Sequence, residues 1–186
     1  MTTRSQLFLR DPQWRENRRG TRHQLPTAVQ SWTYETGSLT QRLRRTYGNA
    51  VKVSVLWQQW QTPFLSEQHR LQIPTHIHAL VREVLLHADG KPLILARTVI
   101  PADTITFAHS NLAKLGTRPL GEVIFAYPKL ARLQLDVCQT QPYAWIADTR
   151  ELAQIDRPVW GRRTVYGLQH QHLLVSEFFL ADSLEI

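Results

Sequence analysis

The sequence predicts an α+β fold, an antiparallel sheet of five or six strands with short helices set between its hairpins, and three observations predict it. Asp89-Gly90 is a strong two-residue turn signal between two long apolar runs, residues 76–88 and 93–100. Residues 159–168 and 172–180 form a second such pair, joined around Gln169 to Gln171. Ser38-Leu39-Thr40-Gln41 has the S-x-x-Q form of a capping box, so a short helix starts there and stops at Gly48-Asn49.

The remaining elements follow in order. Residues 1–25 read as a basic, irregular arm and 26–186 as one domain. Pro26 opens a short helix to about Glu35, with Val29, Trp32 and Thr33 on one face. Val51, Val53, Val55 and Trp57 alternate with Lys52, Ser54 and Leu56, the pattern of a half-buried strand. Residues 76–88 are apolar on both faces, which suits a central strand. A short helix is expected over 109–116, closed by Gly116, then a turn or helix over 119–125 and a weakly alternating strand over 130–138.

Composition narrows the class. A chain of 186 residues that is 42% hydrophobic can bury a core, roughly 70% of its unfolded surface. No run approaches the ~18 apolar residues of a membrane helix, and the N-terminus has no apolar signal region, so no membrane insertion is expected. The single cysteine, Cys138, excludes an internal disulfide and a four-cysteine zinc site, and it makes the cytoplasm the default compartment. The net charge is +7, and six arginines (Arg4, Arg10, Arg15, Arg18, Arg19, Arg22) lie in residues 1–23, expected as a solvated arm.

Charge inside the strands is the more informative signal. Alternate residues share a face, so one row reads His78, Leu80, Arg82, Val84, Leu86; another Leu93, Leu95, Arg97, Val99; a third Leu173, Val175, Glu177, Phe179. Each apolar row holds one charge, and a buried charge needs a partner. Either the three satisfy one another, or they line a closed pocket whose two guanidiniums suit a dianion and whose carboxylate suits a hydroxyl. His76-x-His78 and His170-x-His172 lack a further ligand at metal spacing, so no metal is expected. No P-loop, G-x-G-x-x-G or G-x-S-x-G segment is present.

These charges lie in segments that resemble bacterial chorismate pyruvate-lyases. Val81-Arg82-Glu83-Val84-Leu85-Leu86, Ala88-Asp89-Gly90-x-Pro92 and Ala96-Arg97-Thr98-Val99-Ile100-Pro101 are similar to that family's central hairpin. Leu115-Gly116-Thr117-Arg118-Pro119-Leu120-Gly121 is similar to its next segment. Val159-Trp160-Gly161-Arg162-Arg163 and Leu173-Leu174-Val175-Ser176-Glu177-Phe178-Phe179-Leu180 are similar to its final hairpin. The resemblance covers roughly residues 26–183, thinnest over 126–158.

It implies a single six-stranded antiparallel sheet with flanking short helices, and helical flaps over an enclosed ligand. It implies a lyase that converts chorismate to 4-hydroxybenzoate and pyruvate, the first committed step toward ubiquinone. Arg82 would bind the ring carboxylate, Arg97 the enolpyruvyl carboxylate and Glu177 the ring hydroxyl, with main-chain contacts from Leu39 and Leu120. Leu39 stands where the family has Met, and Ala96 where a member has Gly. Aromatisation drives the reaction, so no cofactor is expected. A monomer with small-molecule partners and no nucleic acid is expected too. The competing readings are a non-catalytic sensor of aromatic carboxylates with the same fold, and a nucleic-acid module driven by the basic charge.

Overall fold

In chain order the computed structural model, which describes residues 5–108, 112–180 and 183, runs β1 (Arg15–Glu16), α1 (Thr27–Thr33), α2 (Leu39–Tyr47), β2 (Lys52–Gln61), α3 (Leu65–Leu71), β3 (Ala79–Ala88), β4 (Lys91–Pro101), α4 (Ala102–Phe107), α5 (Leu120–Ile124), β5 (Leu130–Thr140), α6 (Ala147–Leu152), β6 (Val159–Leu168) and β7 (Gln171–Phe179). The strands form one sheet in the spatial order β1-β5-β6-β7-β4-β3-β2, every neighbouring pair antiparallel. The sheet has seven strands where six were expected. The seventh is β1, two residues of the basic arm laid along the outer edge of β5.

Local chemistry places the hairpins and caps. Asp89 and Gly90 take φ of 50° and 78°, the positive values that a primed two-residue turn needs at both positions. The Ser38 hydroxyl accepts from the Gln41 N–H at the start of α2. Of the helix expected over 109–116, residues 109–111 lie outside the described residues, and 112–116 are turn and irregular chain.

Two bulges decide which side chains share a face. In the β3–β4 hairpin His87 pairs with Pro92 but Leu86 with Ile94, so Leu93 is an extra residue. Every later β4 residue is thereby shifted by one, and Arg82 pairs with Thr98 while Glu83 pairs with Arg97. In β2, Val55 pairs with Val84 but Trp57 with Glu83, so Leu56 is extra and Gln58 comes opposite Arg82.

Helices cover both faces. On the first, α1 and α2 pack Trp32, Leu39 and Leu43 over Val84, Ala96 and Phe179, while α4 and α5 pack Ile105 and Ile124 over Leu80, Ile100 and Val175. The second face is closed by α3, by Trp145 and by the start of the chain, where Leu7 and Phe8 join Leu85, Leu95 and Phe178. The described arginines of the arm, Arg10, Arg15, Arg18, Arg19 and Arg22, are exposed as expected, but the expectation of a solvated arm is corrected for the residues ahead of them. Ser5, Leu7 and Phe8 are buried, because the Ser5 hydroxyl and the Gln6 N–H both donate to the buried Glu83 carboxylate and the two apolar side chains fill the adjoining core.

Candidate active site

The first face of the sheet forms the floor of a cavity lined by Arg82, Val84, Ala96, Thr98, Arg162, Val175 and Glu177. Its roof consists of two lids. Ser38, Leu39 and Thr40 come from the start of α2, and Pro119, Leu120 and Gly121 from the start of α5. The lids meet closely, since a Cβ on Gly121 would stand 2.6 Å from the Ser38 hydroxyl. An Arg44–Glu122 ion pair joins α2 to α5.

Arg82 is the unusual group. It is 2% exposed, yet among the described residues its guanidinium donates only to neutral acceptors, Nη1 to Gln58 Oε1 at 3.0 Å and Nη2 to the Arg118 carbonyl at 3.4 Å. Burial pushes its pKa down from the ordinary arginine value, and no carboxylate opposes that shift. A buried cation held only by neutral groups keeps its charge available for an anion from solution.

Glu177 lies two residues along and two strands across from Arg82, through the pairs Arg82–Thr98, Thr98–Val175 and Ala96–Glu177. Strand spacing and rise put their Cα atoms about 12 Å apart. Both side chains line the cavity, a cation from one strand and a carboxylate from another. Arg162, 1% exposed and directly opposite Glu177 on β6, donates from Nε to Glu177 Oε2 at 2.7 Å. Its Nη1 donates to the carbonyls of Trp32, Thr33 and Glu35, which ties the end of α1 and the chain leading to the first lid to the Glu177 pair. Burial works against the Arg162 charge, but the Glu177 carboxylate together with Tyr166 and Glu35 outweighs it, and the pKa is raised. Glu177 Oε1 and Arg162 Nη2 have no hydrogen-bond partner among the described residues.

Leu39 and Leu120 are the first residues of α2 and α5. The first N–H groups of a helix have no intrahelical acceptor, so the lids bring unused main-chain donors to the cavity.

Four of the five residues expected in the site therefore meet in one cavity: Leu39, Arg82, Leu120 and Glu177. Arg97 does not, and its expected place beside Arg82 is corrected. It lies on the second face, 1% exposed, bidentate to Glu67 at 2.7 and 2.9 Å and bonded to Glu83 at 2.7 Å, with Glu67 2% and Glu83 0% exposed. The extra residue Leu93 is the reason, because an unbulged two-residue hairpin would have paired Arg97 with Arg82.

Sequence reasoning missed Arg162 as the second guanidinium of the cavity and Gln58 as the partner of Arg82. A signal existed for the first: β6 and β7 pair without a bulge, so counting back from Gln169-His170 sets Arg162 against Glu177. None existed for the second, because the β2 bulge breaks the count. Among the described residues no three His, Cys, Asp or Glu side chains gather to hold a metal. No described helix is long and apolar enough to cross a membrane.

A sequence model of the chorismate lyase family matches residues 12–184. A probable chorismate pyruvate-lyase of Methylococcus capsulatus is 39% identical over 158 residues, which is 85% of this chain and 98% of that one. Another, from Thiobacillus denitrificans, is 36% identical over 84% of each chain. Among solved structures, PhnF from Mycobacterium smegmatis superposes with a TM-score of 0.61 at 16% identity, covering 81% of this chain and 66% of that one. The PhnF effector domain from the same organism gives 0.59 at 17% identity, over 78% and 90%. Likeness at that identity concerns the fold alone.

Proposed function

The chain belongs to the chorismate lyase family, and from that premise we propose how its cavity removes pyruvate from chorismate to leave 4-hydroxybenzoate. Chorismate brings two carboxylates, a hydroxyl and an enol ether on a ring that one elimination makes aromatic. The ether C–O bond breaks, the proton on the hydroxyl-bearing ring carbon is lost, and the enolpyruvate takes up a proton to leave as pyruvate. No electrons are exchanged with a third partner, and the protein's task is to bind, orient and exclude water.

The observation that carries the reading is Arg82, a buried cation with neutral partners in a roofed cavity that the Glu177 carboxylate also lines. Arg82 takes the ring carboxylate. Glu177, held at Oε2 by Arg162, accepts the ring hydroxyl's hydrogen bond at Oε1. Arg162 offers Nη2 to the enolpyruvyl carboxylate, the part the sequence suggested for Arg97, and steadies charge as the C–O bond breaks. The main-chain N–H groups of Leu39 and Leu120 complete the polar contacts from the lids.

Two cations and one anion leave the lining at +1. A 4-hydroxybenzoate monoanion balances that charge, and a chorismate dianion exceeds it. Product fits the emptied site better than substrate does, so lid opening and product release limit turnover. The same reading has the enzyme act as a cytoplasmic monomer on a small molecule, without cofactor or nucleic acid, at the family's step toward ubiquinone.

The test is incubation with chorismate in the presence of EDTA, following both products by chromatography. Equal amounts of 4-hydroxybenzoate and pyruvate are expected. Glu177→Gln should keep measurable turnover, and Arg82→Met should lose both turnover and product binding. No turnover by the native chain, with 4-hydroxybenzoate still bound tightly, would replace the enzyme with a sensor of aromatic carboxylates.

A further inference from the structure

We infer that Gln58 is a positioning residue of this site, holding the Arg82 guanidinium through a neutral acceptor and anchoring it to the chain ahead of the second lid, at the Ala113 carbonyl. The inference rests on the reading above, in which Arg82 binds a carboxylate. Gln58 Oε1 accepts from Arg82 Nη1 at 3.0 Å, and Gln58 Nε2 donates at 3.1 Å to the carbonyl of Ala113, seven positions ahead of Leu120 at the start of α5. The two contacts set the amide's orientation, because a flip would turn its NH2 toward the guanidinium and its oxygen toward a carbonyl. Gln58 does not itself line the cavity, so it acts through Arg82.

The backbone is built to bring this residue there. Regular alternation along β2 would set Trp57 against Arg82, and the bulge at Leu56 substitutes Gln58. The opposite face shows the alternative. There a second buried arginine, Arg97, is matched by the carboxylates of Glu67 and Glu83, and nothing of its charge is left for a ligand. An amide at position 58 supplies the orientation of such a pair without the neutralisation.

Replacing the amide with a carboxylate separates these two effects. Gln58→Glu should form an ion pair with Arg82 that a ligand must displace. The 4-hydroxybenzoate dissociation constant and the KM for chorismate should both rise roughly 10- to 100-fold, while the thermal midpoint stays level or rises. Gln58→Met, which orients nothing but neutralises nothing, should weaken binding by about threefold to tenfold. Calorimetric titration with 4-hydroxybenzoate and a melting curve on each full-length variant read both quantities. Native affinity in Gln58→Glu, or equal losses of affinity and midpoint in both variants, would overturn the inference. Arg82→Met is the control on its foundation. If that variant binds 4-hydroxybenzoate as the native chain does, the site reading itself falls. If it does not bind while Gln58→Glu binds normally, only the role of Gln58 falls.

Discussion

Replacing Arg97 with Met is expected to unfold the second face of the sheet and leave the chemistry of the cavity alone. The guanidinium makes three charge-assisted hydrogen bonds of 2.7 to 2.9 Å to Glu67 and Glu83. Burial opposes its charge, yet the Glu67 carboxylate, with Glu83 behind it, outweighs that and raises the pKa above the ordinary arginine value. Without the cation two carboxylates remain in the core. Glu83 keeps the Ser5 hydroxyl and the Gln6 N–H, and Glu67 keeps the Phe64 N–H, but none of these carries positive charge. Breaking one buried pair costs about 3–5 kcal/mol, and the doubled contact places this site at the upper end of that range. At about 2–4 °C per kcal/mol for a chain of this length, the midpoint should fall by roughly 8–20 °C. Adding Glu67→Gln and Glu83→Gln should recover much of the loss. Denaturant and thermal melts provide the assay, with Arg82→Met as the comparison. Arg82 is equally buried but has no carboxylate partner among the described residues, so its removal should leave the midpoint unchanged or raise it. An Arg97→Met variant that melts with the native chain and has lost all turnover would refute this reasoning and return Arg97 to the substrate.

Two further outcomes follow from particular contacts. Gly121→Ala puts a methyl group 2.6 Å from the Ser38 hydroxyl, where the lids meet, so it should prop them apart. Product dissociation in stopped-flow should speed up several-fold and the product burst in rapid-quench kinetics should shrink; an unchanged release rate would dissociate lid contact from turnover. The Cys138 thiol is pushed up to about 12, chiefly by burial. At pH 8 it should not react with a disulfide reagent until the fold is opened by denaturant, and one equivalent of label on the native protein would contradict that.

Much of the sheet was legible because its signals are local. The Asp89-Gly90 turn, the apolar runs on either side of it, the unbulged β6–β7 pair and the Ser38 cap each depend on a few neighbouring residues and came out where the pattern put them. The helix α3 did not. Its inward face carries Glu67 and Gln68 beside Leu71, so no apolar stripe marks it, and its polar residues are explained only by Arg97 and by the Pro63 carbonyl. The burial of the arm was equally hidden. Ser5 goes inside, and the exposed Gln6 turns its N–H inward, because Glu83, 78 and 77 positions away, needs their donors.

The candidate site divides along the same line. Sequence alone determined that single charges stand in apolar rows at Arg82, Arg97 and Glu177, and that such charges require partners. Only the tertiary structure decided which partners they have. Side chains alternate with a period of two, so one extra residue carries everything beyond it to the other face. Leu93 in β4 took Arg97 out of the cavity and left it to Glu67 and Glu83, while Leu56 in β2 set Gln58 beside Arg82. Whether a bulge forms at such a position is settled by how both faces pack against residues far along the chain, which no count along a single strand contains.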